Sequence, residues 1–216
     1  MSDKIKHHLT AQLLMSYAAG TLPEAFSLVV ATHVSMCDEC RARLMEFEAV
    51  GGAVLDETES VEMADDAFAA TLKLISSQPK DPIKTTMSKP GIFPKPLQDY
   101  VGGDADAVAW RRIGKGVKQA ILPTSKEATV RLLYIPAGCE MPDHGHNGTE
   151  LTMFLQGAFI DVDGRFALGD VEVANEDFER TPIADIGEDC ICLSATDAPL
   201  KFSGLVPRVA QRFLRI

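Results

Sequence analysis

The stretch His33-Val-Ser-Met-Cys37-Asp-Glu-Cys40 constrains this chain more than any other. A helix carries residues i and i+4 on one face, so His33 and Cys37 meet at a helix end. Cys37 and Cys40 add a Cys-x-x-Cys chelate there. An imidazole and two thiolates this close together suit zinc, which closes a tetrahedron of nitrogen and sulfur ligands. A fourth ligand has to come from elsewhere, and the other N-terminal histidines are His7 and His8. The bland alternative is a short helix ending in two unliganded thiols. Composition alone rarely puts His, Cys and Cys at ligand spacing beside a spare His.

The chain has 216 residues, 46% of them hydrophobic, enough for two small cores or one large one. No apolar run approaches the roughly 18–20 residues of a membrane span. Met1-Ser-Asp-Lys-Ile-Lys leads into no apolar signal region, so a cytoplasmic protein is expected. Five cysteines, an odd number in scattered groups, do not make a secreted disulfide framework. Charge divides the chain. Residues 1–78 carry 5 Lys and Arg against 12 Asp and Glu, residues 79–95 have a net charge of +3, and residues 96–216 one of −6. An N-terminal part at −7 repels phosphate backbones, which disfavours a DNA-binding zinc module and favours a basic protein surface as partner.

Residues 9–19 read as a helix with Thr10 as N-cap, an apolar stripe of Leu13, Leu14, Tyr17 and Ala18, and Gly20 to end it. Pro23 and Glu24 fit the first turn of a second helix carrying Phe26, Val29, Val30 and His33. A third starts at Asp38 or Glu39 and runs through Arg41–Val54, its end weakened by Gly51-Gly52. After an acidic stretch, Asp65 or Asp66 caps a fourth helix with Phe68, Leu72 and Ile75 along one side. That helix either packs on the other three or lies on a partner protein. Pro79, Pro82, Pro90, Pro94 and Pro96 mark a linker, placed at 79–95. Short β-branched runs follow at 108–113, 117–122, 128–135, 151–155 and 190–193, as in an all-β sandwich or barrel. The expected class is α+β in two units, a small all-α zinc-binding unit at 1–78 and a β-barrel at 96–216.

The β part holds a second constellation. On a strand, His144 and His146 point to one face, and Glu150 can join them from the next strand. Two imidazoles and a carboxylate form the facial set used for iron, manganese or zinc. Asp143 and Asp163 read as loop or surface carboxylates. The spacing Gly138-x5-His144-x-His146-x3-Glu150-x6-Gly157 resembles the first motif of the cupin superfamily at every specified position. That resemblance implies a fourth histidine in a second motif, which starts here at Gly169-Asp170, but Arg180 stands where it is expected. Either a divalent metal (Zn, Mn, Fe or Ni) sits on three ligands and water, or Arg180 pairs with Glu150 in its place. Cys190 and Cys192 share one strand face, as buried thiols or as a redox pair, and Cys139 is open to oxidation where exposed.

The order of parts, with Tyr17-Ala-Ala-Gly-Thr-Leu, Glu24-Ala-Phe-Ser-Leu-Val-Val-Ala-Thr-His33, Gln119-Ala-Ile-Leu-Pro-Thr and Asp189-Cys-Ile-Cys-Leu, resembles the ChrR-type zinc-binding anti-sigma factors. The resemblance covers nearly the whole chain. It implies zinc on His8, His33, Cys37 and Cys40, with His8 chosen over His7 by its separation from His33. It further implies that the N-terminal helices bind a group IV (ECF) sigma factor and repress its transcription. The cupin is then expected to receive a singlet-oxygen or peroxide signal, with no catalytic residues. The alternative is a cupin metalloenzyme, an oxygenase or isomerase on His144, His146 and Glu150, with the helices as an accessory.

Overall fold

The computed structural model describes residues 4–78, 90–141, 144–145, 148–161, 164–174, 182–199 and 201–202. Four helices come first: α1 (Ala11–Ala18), α2 (Glu24–Met36), α3 (Asp38–Asp56) and α4 (Ala67–Ser77). Thr10 caps α1, its hydroxyl accepting from the Leu13 N–H at 3.3 Å. Gly20 follows with φ of +67°, a left-handed turn that a residue without Cβ takes readily. Glu24 opens α2, where a carboxylate faces the positive end of the helix dipole.

Helix α3 runs past Gly51-Gly52 to Asp56, two residues beyond the expected Val54; a helical glycine costs only about 1 kcal/mol against alanine. One local expectation fails. Asp66 precedes α4 in helical conformation and makes no side-chain cap bond. Residues 79–89 of the expected linker lie outside the described residues. The rest leads into α5 (Lys95–Val101), which the sequence reading missed. Pro94 and Pro96 read as marks of the linker, yet proline fits a first helical turn, where no N–H is needed.

Eleven strands are described: β1 (Arg111–Gly114), β2 (Val117–Leu122), β3 (Thr129–Ile135), β4 (His144–Gly145), β5 (Glu150–Gln156), β6 (Ala158–Asp161), β7 (Gly164–Ala167), β8 (Val171–Ala174), β9 (Ile183–Ala184), β10 (Cys190–Thr196) and β11 (Lys201–Phe202). The large antiparallel sheet has the order β1-β2-β3-β10-β5-β8, the smaller one β7-β6-β9, and β4 pairs with β11. The first expected strand is shorter than its apolar run and starts only at Arg111, after a 3-10 turn at Ala105–Ala107.

Strand alternation divides the core. Phe154, Cys190 and Cys192 face the smaller sheet and meet Phe159 and Phe166. Leu132, Leu151, Met153, Leu193 and Ala195 leave the large sheet on its other side. That outer face is apolar because α2 covers it, with Phe26, Val29 and Val30 in the same core. Helix α2 also packs on α1, α3 and α5, so it is apolar nearly all round, as a buried helix must be. A polar latch closes the joint: the Tyr100 hydroxyl donates to the Glu24 carboxylate at 2.9 Å, and the Ser125 N–H donates to its other oxygen at 2.7 Å.

Helix α4 differs from the rest. Phe68 is 73% exposed, Leu72 47%, Leu74 64% and Ile75 66%. None of its residues is buried, so its apolar stripe is left uncovered. Val50, Val54 and Leu55 at the end of α3 are likewise exposed. No helix among the described residues is long and apolar enough to cross a membrane.

Candidate metal centre

Three candidate ligands meet at the α2–α3 corner. His33 sits in the last turn of α2, Cys37 joins the two helices, and Cys40 lies in the first turn of α3. Cys37 is the N-cap of α3, and its sulfur accepts from the Cys40 N–H at 3.4 Å. His8 arrives from the strap that precedes α1. The four ligand atoms lie within 4.8 Å of one another. His8 Nδ1 is 3.3 Å from Cys37 Sγ and 3.7 Å from Cys40 Sγ. Zinc bonds to sulfur and nitrogen space tetrahedral ligand atoms roughly 3.3–3.8 Å apart. Among the described residues no other group of His, Cys, Asp and Glu comes together in this way.

Outer contacts decide which nitrogen of each ring faces the cluster. The Gly169 carbonyl can only accept, so His33 Nδ1–H donates to it, at 2.9 Å. That leaves His33 Nε2 as the lone-pair nitrogen, buried and without a hydrogen-bond partner. Leaving such a group unsatisfied costs about 1–3 kcal/mol, and a metal ion satisfies it. His8 is arranged the other way round: its Nε2 lies 3.4 Å from the Glu39 carboxylate, and its Nδ1 faces the thiols. A carbonyl or carboxylate behind a ligating imidazole is the usual outer shell of a metal site.

His7 turns away from the cluster. Its ring lies on Phe166 with centroids 4.2 Å apart, and its Nδ1 is 3.4 Å from Asp170. Burial acts to raise the Asp170 carboxyl, but the N–H groups of Ala167, His7 and Lys6 outweigh it and hold the carboxyl below the usual range.

Burial pulls His33 down to about 4, against the opposing Gly169 carbonyl. Burial also pushes the Cys40 thiol up to about 11, against a hydrogen bond at Leu9 and with Cys37 adding to the rise. Without a cation the Cys40 thiol keeps its proton, so metal binding must release protons. Affinity for added zinc is therefore expected to climb with pH, by about a hundredfold per unit near neutrality when two thiols deprotonate. Chelator competition at several pH values measures this, and a flat profile would exclude the thiolates as ligands.

The barrel constellation is only partly placed. His144 lies on β4, whose backbone pairs with Phe202; His146, Asp143, Asp163 and Arg180 lie outside the described residues. Glu150 opens β5 and accepts from the Ser194 hydroxyl and, at 3.2 Å, from Thr152. Sequence reasoning missed Arg131, which is 6% exposed and pairs in register with Ser194. Burial pulls its guanidinium down and Glu150 opposes that, so Arg131 is a cation within electrostatic reach of Glu150. An arginine inside the apolar run Val130-Arg-Leu-Leu was the available signal. A hydrogen bond with Cys190 and burial push the Cys192 thiol well up, so it stays protonated. Cys139 is half-buried.

The family pattern described as the ChrR cupin-like domain matches residues 98–198. Over 212 residues the chain is 52% identical to the anti-sigma-E factor ChrR of Cereibacter sphaeroides, covering 98% of this chain and 99% of that protein. The chain belongs to the ChrR family of anti-sigma factors. A chain from the crystal structure of Rhodobacter sphaeroides SigE in complex with the anti-sigma ChrR superposes with a TM-score of 0.80 at 51% identity, over 90% of this chain and 100% of that one. This ChrR-family member thus joins a cluster able to hold a metal ion to a cupin-like barrel, with α2 packed between the two.

Proposed function

We propose that this chain binds an ECF sigma factor through its N-terminal helices and keeps it from RNA polymerase. The observation that carries this reading is the 52% identity, over 98% of the chain, to an anti-sigma-E factor. A relative at 51% identity was solved in complex with SigE. The exposed stripe of α4 and the −7 charge of residues 1–78 suit a partner with apolar grooves and basic faces. Zinc is the metal we assign to His8, His33, Cys37 and Cys40. When bound it closes the tetrahedron and ties the strap before α1 to the α2–α3 corner. The chain's own residues do the rest: Glu39 and Gly169 hold the two imidazoles, and the first turn of α3 holds the thiolates.

The barrel is the expected receiver of an oxidative signal. A second divalent metal on His144, His146 and Glu150 belongs to this proposal, supported by the cupin-like spacing and by the Ser194 and Thr152 hydroxyls that orient Glu150. Repression by the N-terminal helices does not depend on it. The enzyme alternative accounts for the barrel alone, whereas the relation to an anti-sigma factor runs through both parts of the chain.

The test is co-expression of the full chain with each ECF sigma factor of the same genome. One stoichiometric complex is expected, in which the sigma factor no longer joins core RNA polymerase. Failure to form a complex with any of them overturns the proposal.

A further inference from the structure

The four zinc ligands all lie within the first forty residues, but part of what aims them lies in the barrel. The strap that ends in His8 is laid against the turn between β7 and β8. Asp170 in that turn is 3% exposed. One of its oxygens accepts from the Lys6 N–H at 2.6 Å and the His7 N–H at 2.9 Å. The other accepts from the Ala167 N–H at 2.9 Å and faces the His7 ring at 3.4 Å. The Val171 N–H donates to the His7 carbonyl at 3.2 Å. Gly169 has φ of +86°, and a Cβ there would come within 2.7 Å of Ile5, so the strap needs glycine beneath it. The carbonyl of this same Gly169 accepts from His33.

One barrel turn therefore holds the ring of His33 directly and the backbone leading to His8. We infer that Gly169-Asp170 is the outer shell of the helical zinc centre, so that the state of the barrel sets how tightly the zinc is held. This deepens the zinc reading above and rests on it. Asp170 is a positioning residue, since it acts on His8 through the strap. Its two oxygens only accept, and an amide in its place would set N–H against N–H. Coupling of this kind is reciprocal: a shift of the turn changes zinc affinity, and zinc steadies the turn. It gives the barrel a physical route to the sigma-binding helices.

The test measures zinc affinity of the full chain by competition with a chromogenic chelator. Asp170→Asn changes the turn, and Ile5→Ser changes only the strap, leaving the barrel sequence intact. Asp189→Asn is the control: that carboxylate accepts from the Ala137 N–H at 2.9 Å, and its partners Ala137 and Tyr134 both belong to the barrel. Asp170→Asn and Ile5→Ser are expected to bind zinc about ten- to a hundredfold more weakly, with Asp189→Asn within about twofold of the wild type. Wild-type affinity in either of the first two variants overturns the inference, as does an equal loss in the control. A wild-type chain that takes up no zinc overturns the zinc reading itself, and this inference with it.

Discussion

Cys40→Ser is expected to remove the zinc and the sigma complex together. Cys40 is fully buried and is one of the two cysteines in the cluster able to hold a metal. A serine hydroxyl does not ionise near neutral pH and is a poor zinc ligand, so three residues remain for a site that needs four. Zinc content should fall from about one per chain to below about a tenth of that. The damage should be local, because α2 is held by Phe26, Val29 and Val30 on the outer face of the large sheet. What loosens is the corner between α2 and α3 and the tie from His8 to it; the bonds of the strap to Asp170 and the packing of α1 on α3 remain, but nothing then fixes the corner against them. Most helical circular dichroism should therefore survive while sigma binding is lost. Elemental analysis and size-exclusion chromatography with the sigma factor measure the two effects. Full sigma binding by a zinc-free variant would show that the metal does not shape the binding surface.

Phe68→Asp with Ile75→Asp is expected to abolish sigma binding at no cost to the free chain. Both side chains are more than 60% exposed, so neither loses packing when replaced. Surface changes of this kind usually stay within about 0.5 kcal/mol of the wild type. A buried interface anchor is different: its truncation costs about 2 kcal/mol or more, roughly thirtyfold in Kd, and a carboxylate in an apolar groove costs further. The pair should weaken binding by about three orders of magnitude if the two sites add. Leu14→Asp, by contrast, places a charge in the core between the helices and should unfold them. Unchanged sigma affinity in the double variant, measured by titration calorimetry, would remove α4 from the docking surface.

Much of this molecule is legible locally. Thr10, Gly20 and Glu24 mark helix ends because caps and turns act within a few residues. The candidate metal cluster is read the same way, since three of its four residues lie on one helix corner. Strands β2, β3, β5 and β10 follow from β-branched runs. Helix α5 was misread because proline stops a helix inside but starts one at its first turn.

The sequence by itself determined the candidate metal-ligand set at the helical corner, the helix-then-strand order and the family to which both parts belong. Only the tertiary structure decided the rest. It set His8 toward the thiols and His7 toward Phe166, because the strap lies with one side on the barrel and the other on the corner. It placed α2 across a sheet face that alternation alone would leave to solvent. It buried Arg131 within electrostatic reach of Glu150, and it brought the Gly169 carbonyl to His33 across 136 residues of chain. Contacts at such separations leave no mark in local periodicity. They arise only when the two halves bury apolar surface against each other, and that burial fixes which polar groups meet at the joint.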